Sequence, residues 1–543
     1  MSGNVVLVFN ITTIGASLNI NISGISSTVT IDWGDSQTST VVSSGIYSHT
    51  YSSANQFTVT ITGGLISFTI NGESRVISCT SLSLSSLGTL LNTFKNCSNL
   101  TTIPSNISSS ITNLSGTFFG CTKLNDSNIL TWDTSNVTNM SYMFYQCYAF
   151  NKPLTFNTIA VTNMLAMFYQ CYAFNQLLSF NTIAVTIMAN MFRGCSIFNQ
   201  PLSFNTITVT DMSSMFNQCS VFNQPLSFNT IAVTNMSRMF QQCYVFNQAL
   251  SFNTTAVTNM SSMFNQCSSF NQPLFFNTSS VTDMTYMFYY CFAFNQPLSF
   301  TDTSKVTNMT SMFQECSVFN QQLSFNTSSV IEMILMFNKC SVFNQQLSFT
   351  DTSKVTSMTY MFYQCSVFNQ PLSFNTIAVT NMSNMFRDCS AFNQSLEFWN
   401  ISNVSNMASM LNNTALSMTN YSNTLIAWNN LSTKINGVSL GASNLKYSSE
   451  GEIARQNLIT TNSWIITDAG LACIFTNTEI SININKTELI QNLKVGDNIL
   501  THKGINKIKR IGYNKIHIND INKFKVFYKN SISLDIPNKD LYI

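Results

Sequence analysis

The sequence predicts a solenoid of short strand plus short helix per 24-residue unit, flanked by an N-terminal β-sandwich and a C-terminal mostly-β domain. Three observations carry this expectation. Cys147, Cys171, Cys195, Cys219, Cys243, Cys267 and Cys291 are each 24 residues apart, and Cys316, Cys340, Cys365 and Cys389 continue with steps of 25, 24, 25 and 24. Around each cysteine the same string returns, as in FNQPLSFNTIAVTNMSRMFQQC at Phe222–Cys243. At both ends the string fades and the composition changes. A period of 20–50 residues marks a stacked-repeat architecture, in which no single unit can bury its own apolar face.

Composition narrows the functional classes. Charged residues make up 8% of 543, with 24 Lys plus Arg against 22 Asp plus Glu. An average soluble protein carries about 25%. Nucleic-acid binding by phosphate neutralisation needs clustered cations, so no specific nucleic-acid partner is expected. Apolar residues reach 45%, with 44 Phe and 26 Met, which argues against disorder. No apolar run approaches the ~20 residues of a membrane helix. The start, MSGNVVLVFN, has no basic segment followed by a long apolar one, so no conventional signal peptide is expected.

Residues 1–70 alternate apolar and polar positions, as in FTVTIT (Phe57–Thr62), and predict the sandwich. Residues 71–413 hold the array. Leu226 and Phe228 alternate with Ser227, the period-2 signal of a short strand. Val233, Met236, Met239 and Phe240 then fit one or two helical turns, with Thr234 placed to cap them and Cys243 on the inner side. Both 25-residue steps coincide with FTDTSKV (Phe300–Val306, Phe349–Val355) in place of FNTxxV, a one-residue insertion. Cys97 and Cys121 extend the series backwards. Thirteen turns at about 4.8 Å each would make a rod roughly 60 Å long. Residues 414–470 predict a cap, with Trp428, Tyr447, Leu458 and Trp464 as its packing residues. Residues 473–543 hold 11 Lys/Arg against 6 Asp/Glu, whereas residues 1–472 hold 13 against 16.

The conspicuous columns read first as framework. Zinc sites pair cysteines two to four residues apart, a spacing missing here. Disulfides between neighbouring units would distort a regular stack, so the cysteines are expected to be reduced core. The Met–Phe column could line a cofactor pocket, but identical apolar residues at every period are expected to be core. Asn199, Asn223, Asn247, Asn271 and Asn295 are expected to form a side-chain ladder along the turns, with glycan or ice binding by the Asn/Thr-rich faces as the competing reading. Triplets such as Asn136–Thr138 match a glycosylation acceptor, but inward-facing repeats cannot all carry sugar. Three histidines in the whole chain make an acid–base or metal enzyme improbable. No cofactor or metal is expected.

The repeated VTNMSxMFxxC followed by FNQPLSFN, from about Asn92 to Asn413, resembles the BspA-type leucine-rich repeats of bacterial, protist and giant-virus surface proteins. That resemblance implies a leucine-rich-repeat solenoid, with Phe where Leu is usual. DWGD (Asp32–Asp35), HTY (His49–Tyr51) and FTVTIT resemble a PKD-type immunoglobulin-like domain, a spacer or adhesive module. Residues 471–543 resemble the opening of a Hint domain, the autoprocessing fold of hedgehog proteins and inteins. The matching pieces are Cys473, LKVGD (Leu493–Asp497) and ILTHKG (Ile499–Gly504).

By that resemblance Cys473 is the candidate catalytic nucleophile, attacking the Ala472–Cys473 carbonyl in an N-to-S acyl shift. The family's Thr-x-x-His element is not matched: Ile499 and Asn514 stand three positions before His502 and His517. An inactive relic is therefore expected. The expected function is a non-enzymatic surface or virion protein that contacts protein or glycan on a host cell, or neighbouring surface proteins. A self-processing precursor and an intracellular scaffold are the alternatives. The Asn, Ile and Lys enrichment favours a giant-virus source over a bacterial adhesin, by analogy alone.

Overall fold

The computed structural model describes residues 3–300 and 302–472, and by backbone alone the strands within 479–507. Six strands open the chain: β1 (Val5–Ile11), β2 (Ser17–Asp32), β3 (Thr38–Val41), β4 (Gly45–Thr50), β5 (Asn55–Thr69) and β6 (Val76–Leu82). Their order is β3-β2-β5-β1-β6, with β4 also paired to β2. The alternation in the sequence is realised literally, since Leu18, Ile20 and Ile22 of β2 are buried while Asn19 and Asn21 are exposed. β2 pairs with β5 along one edge and is long enough to serve two partners along the other. Its first part, Ser17–Ile22, pairs with β4, and its last part, Val29–Asp32, pairs with β3.

This β-structure runs directly into the repeats. β6 lies past residue 70, pairs antiparallel with β1, and makes a parallel bridge from Ser78 to Thr102. The Cys79 amide donates to the Thr102 carbonyl at 2.9 Å, and the Ile70 amide to Thr93 at 2.9 Å. Phe68 meets Phe94 edge-on at 6.4 Å. The first repeat thus continues a pre-existing strand edge and apolar surface.

Successive units then stack in register. Parallel bridges link Asn139, Asn163, Ile187, Asp211, Asn235 and Asn259, each to the next, and the series continues to Asn406. Inside, Val233, Met236, Met239, Phe240 and Cys243 are all fully buried, as are their counterparts in neighbouring units. The aromatic rings form continuous columns. Phe216, Phe240 and Phe264 stack at 5.8 Å per step, and Phe222, Phe246 and Phe270 at 6.0 Å. The two columns touch within each unit, Phe240 lying 4.3 Å from Phe246. Offset stacking at such distances is favourable beyond simple burial. It explains why Phe fills positions that a smaller side chain would leave hollow.

Three expectations about the unit need correction. No helix forms at Val233–Phe240; the described repeats contain turns there instead. Two residues per unit, such as Arg238 (φ 56°) and Gln242 (φ 61°), are left-handed. Backbone donors alternate between local and distant acceptors. Met239 and Gln241 donate back three residues, to Met236 and Arg238, whereas Arg238, Phe240 and Gln242 donate forward, to Ser261, Met263 and Asn265. An α-helix would have consumed every one of those donors internally. Thr234 is not a cap: its amide and hydroxyl both donate to the Thr210 carbonyl of the preceding unit. The capping-type contact belongs to Asn235, whose side chain accepts from the Ser237 amide at 3.0 Å.

The third correction concerns the strand, which is realised only in part: the Leu column bridges in parallel at Leu154–Leu178–Leu202, Leu274–Leu298 and Leu323–Leu347, but not at Leu226 and Phe228. Their side chains are buried around exposed Ser227, as the alternation implies, but the unbroken parallel ladder passes through Asn235. Departures from the period are absorbed locally. The 26-residue step from Cys121 to Cys147 contains a 3₁₀ turn at Ser127–Thr131, and the FTDTSKV insertions use Asp302 and Asp351 to accept from the Ser304 and Ser353 amides.

Among the described residues, α-helices appear only where the repeat fades. After β7 (Asn406–Met407) come α1 (Met418–Asn429), β8 (Ser439–Ala442), α2 (Ser449–Asn462) and β9 (Ile465–Asp468). The three strands pair parallel in chain order, so the ladder of the repeats passes through Asn406 into this segment. Trp428, Tyr447, Leu458 and Trp464 are all buried. Asp468, almost wholly enclosed, accepts from Arg455 at 2.8 and 3.1 Å and from the Tyr421 hydroxyl at 3.0 Å. Helix α1, helix α2 and β9 are tied at one carboxylate. No helix among the described residues is long and apolar enough to cross a membrane. A separate compact unit holds two antiparallel hairpins, β10 (Glu479–Asn483) with β11 (Lys486–Leu489), and β12 (Asn498–Thr501) with β13 (Gly504–Lys507).

Candidate functional site

Most polar groups of the repeat are committed to the stack. Each Asn of the expected ladder accepts from the next unit: the Asn199 side chain from the Asn223 amide, Asn223 from Asn247, and Asn247 from Asn271, all at 2.9 Å. Gln224 and Gln248 add a second donor to the same oxygens. A buried threonine row bonds forward, with Thr230 Oγ1 donating to Asn253 O at 2.8 Å and Thr254 Oγ1 to Asn277 O at 2.9 Å. These side chains satisfy backbone groups that the turns would otherwise leave unpaired.

The cysteines perform the same task from inside the core. All fourteen described cysteines are unpaired and buried. Cys243 Sγ lies 3.0 Å from the Phe216 carbonyl, and Cys267 Sγ 2.9 Å from that of Phe240. A thiol is small enough for the interior and still donates a hydrogen bond. Burial pushes these thiols well above their ordinary range, Cys97 up to about 12. Such groups stay protonated at neutral pH and are poor nucleophiles and poor metal ligands. Among the described residues no cluster of His, Cys, Asp and Glu has the makings of a metal site. Cys473 lies outside the described residues.

The DWGD and HTY residues converge on one cluster in the N-terminal sheet. Trp33 Nε1 donates to Ser39 Oγ at 2.9 Å, and the Tyr51 hydroxyl donates to the Trp33 carbonyl at 2.9 Å. His49 stacks on Trp33 at 5.0 Å, meets Tyr51 edge-on at 4.6 Å and lies 2.7 Å from Asp35 through Nε2. Gly34 has φ 81°, and a Cβ there would fall 2.5 Å from the Thr58 carbonyl. Burial, reinforced by the Asp35 charge, raises the Tyr51 phenol strongly. The cluster is wired and enclosed, with the properties of a structural lock.

Outward positions behave differently. One row of aromatic rings is closed on itself: Phe119, Tyr145 and Tyr169 stack at 4.2 and 4.3 Å, with Lys95 over Phe119 at 4.7 Å and Arg193 over Tyr169 at 5.3 Å. Both outer ring faces are covered by cations. A second row occupies the position immediately after each cysteine. It reads Thr122, Tyr148, Tyr172, Ser196, Ser220, Tyr244, Ser268, Phe292 and Ser317. Tyr148 and Tyr172 stack at 5.0 Å. The four aromatics of this row are 38–44% exposed. Sequence inspection passed over this row because it looks for what repeats. Its signal is the reverse, aromatic replacements at one column that otherwise holds Ser or Thr.

No curated protein matches the chain. A family model described as "Mycoplasma protein of unknown function, DUF285" matches it five times, at residues 88–182, 176–272, 226–325, 250–348 and 323–428. The starts at 226 and 250 differ by one period, so the family is defined on the repeat itself. Together the matches cover residues 88–428, well over half of the sequence, and the chain belongs to this DUF285 family.

Proposed function

We propose that the chain is a non-enzymatic surface or virion component, a right-handed leucine-rich-repeat solenoid that presents its outward rows to protein or glycan. One observation carries the reading. Framework positions are spent on holding the stack, through the Asn side-chain ladder, the thiol donors and the Phe columns, while columns such as that of Tyr148, Tyr172, Tyr244 and Phe292 vary in chemistry and reach the surface. A stack of near-identical units offers a long regular surface for contact, and such extended surfaces are what repeat proteins commonly use. The PKD-like reading of the N-terminal β-structure and the Hint-like reading of the tail belong to the same proposal of a modular surface protein.

The test is location. Intact cells or particles that contain the protein are shaved with a protease too large to enter, and the released peptides are identified by mass spectrometry. Peptides from the repeat and the N-terminal sheet are expected in the shaved fraction. Their recovery only after lysis would reject surface display in favour of an interior role.

A further inference from the structure

We propose that the aromatic row at Tyr148, Tyr172, Tyr244 and Phe292 is a binding strip for a neutral polysaccharide. The inference deepens the display reading and rests on it for biological meaning, but its chemistry stands on this face alone. The two aromatic rows of the repeat differ in one respect. In the Phe119–Tyr145–Tyr169 row every ring face is occupied, by another ring or by Lys95 and Arg193. In the Tyr148–Tyr172 pair, the positions beyond the two rings belong to Thr122 and Ser196, which are too short to cover a ring. Tyr244 is flanked in its row by Ser220 and Ser268 in the same way. Exposure of 38–44% leaves a substantial part of each ring in water. Three amphipathic tyrosines and the apolar Phe292, which meets Tyr290 edge-on at 5.5 Å, are thus held on a rigid scaffold at little entropic cost, the arrangement that makes Tyr effective in recognition.

Charge decides what they meet. Between Tyr148 and Phe292 the charged residues are Lys152, Arg193, Asp211, Arg238 and Asp283, three cations against two anions, and Arg193 already lies over Tyr169. A nucleic acid or an acidic glycan would find no basic track here. Two residues before Tyr148 and Tyr172 stand the neutral Gln146 and Gln170, which bond to each other at 2.9 Å. Apolar ring faces beside amides and hydroxyls complement a ligand with apolar C–H faces and many uncharged hydroxyls, which describes a neutral sugar chain. From Tyr148 to Phe292 the row spans six unit steps, about 29 Å at the spacing of parallel strands. That length suits an extended chain of several hexoses rather than a single sugar.

The repeat supplies its own control substitutions. Serine stands at this position in Ser196, Ser220, Ser268 and Ser317, so Tyr148→Ser, Tyr172→Ser, Tyr244→Ser and Phe292→Ser reproduce a side chain the stack already accepts. The experiment is affinity electrophoresis of the full chain through native gels containing soluble β-glucan, xylan or mannan, with alginate as the acidic comparison. Retardation by at least one neutral polymer is expected, with the apparent dissociation constant raised at least about tenfold in the fourfold serine variant. Tyr145→Asn, in the closed row, is expected to bind as the parent does. Circular dichroism on each variant separates lost binding from lost structure.

Free migration through all three neutral gels overturns the proposal, as does retardation that survives the fourfold substitution or occurs in alginate alone. Capture of a protein ligand that depends on the row, with no neutral polymer bound, also overturns it. That last result would leave surface display intact, and protease shaving decides display independently.

Discussion

Asn223 shows how a single side chain holds two units together. Its oxygen accepts from the Asn247 amide at 2.9 Å and from Gln248 at 3.1 Å, so Asn223→Ala leaves a backbone donor without its partner. A buried or half-buried unsatisfied group costs about 1–3 kcal/mol. Chemical denaturation should show a loss in that range for Asn223→Ala, and an unchanged midpoint would mean that water replaces the ladder without cost. Gln242 illustrates a different constraint, backbone rather than side chain. With φ 61° it occupies a region that β-branched residues tolerate poorly, while its neighbour Gln241 does not. Gln242→Val should therefore destabilise by about 1–2 kcal/mol more than Gln241→Val. Equal effects of the two valines would show that the left-handed turn is not under strain.

Each turn owes its form to competition between units for backbone donors. Val233, Met236, Met239 and Phe240 face the core at spacings a helix would also produce, and the amino-acid pattern alone does not separate the two. What separates them is where Arg238, Phe240 and Gln242 send their amides, and that depends on the unit ahead. The core, the Asn ladder and the buried thiols were legible because burial and period are properties of sequence columns. The helix was misread because hydrogen-bond partners lie 23 or more residues away. A sign was nevertheless present: Gly116, Gly120 and Gly194 occupy the columns that are left-handed in every other unit. Where the α-helices form, Gly441 of β8 sits against the turn that follows β7. A Cβ added there would lie 2.3 Å from the Ser409 amide nitrogen, a backbone atom that cannot turn aside. Gly441→Ala should cost about 1–3 kcal/mol through overpacking. Hydrogen exchange should place that loss in residues 406–468 first, and a uniform loss along the chain would contradict a local cap.

The whole array shares one core, and its thiols give that core a common dependence on pH. In the folded chain burial holds each cysteine from Cys97 to Cys389 above its ordinary value, whereas an unfolded chain releases thiol protons near 8.5. A group whose folded value is raised contributes stability that is fully present below the unfolded value and is lost as pH rises toward the folded one. Stability should therefore be level up to about pH 8 and then fall, by about 1.4 kcal/mol per pH unit for each thiol that remains buried. Thirteen thiols in the series act together, so the summed slope is on the order of 15–20 kcal/mol per pH unit, larger than the whole stability of a typical domain. Alkaline unfolding should accordingly be abrupt and complete below the folded thiol values. Followed together, thiolate absorbance near 240 nm and loss of the circular dichroism signal should rise in one coincident step. Replacing several central cysteines by alanine should make that step shallower and move it to higher pH. Gradual thiolate formation near pH 8.5 with the fold intact would mean that the column is open to solvent, and the reading of these residues as shared core would fail.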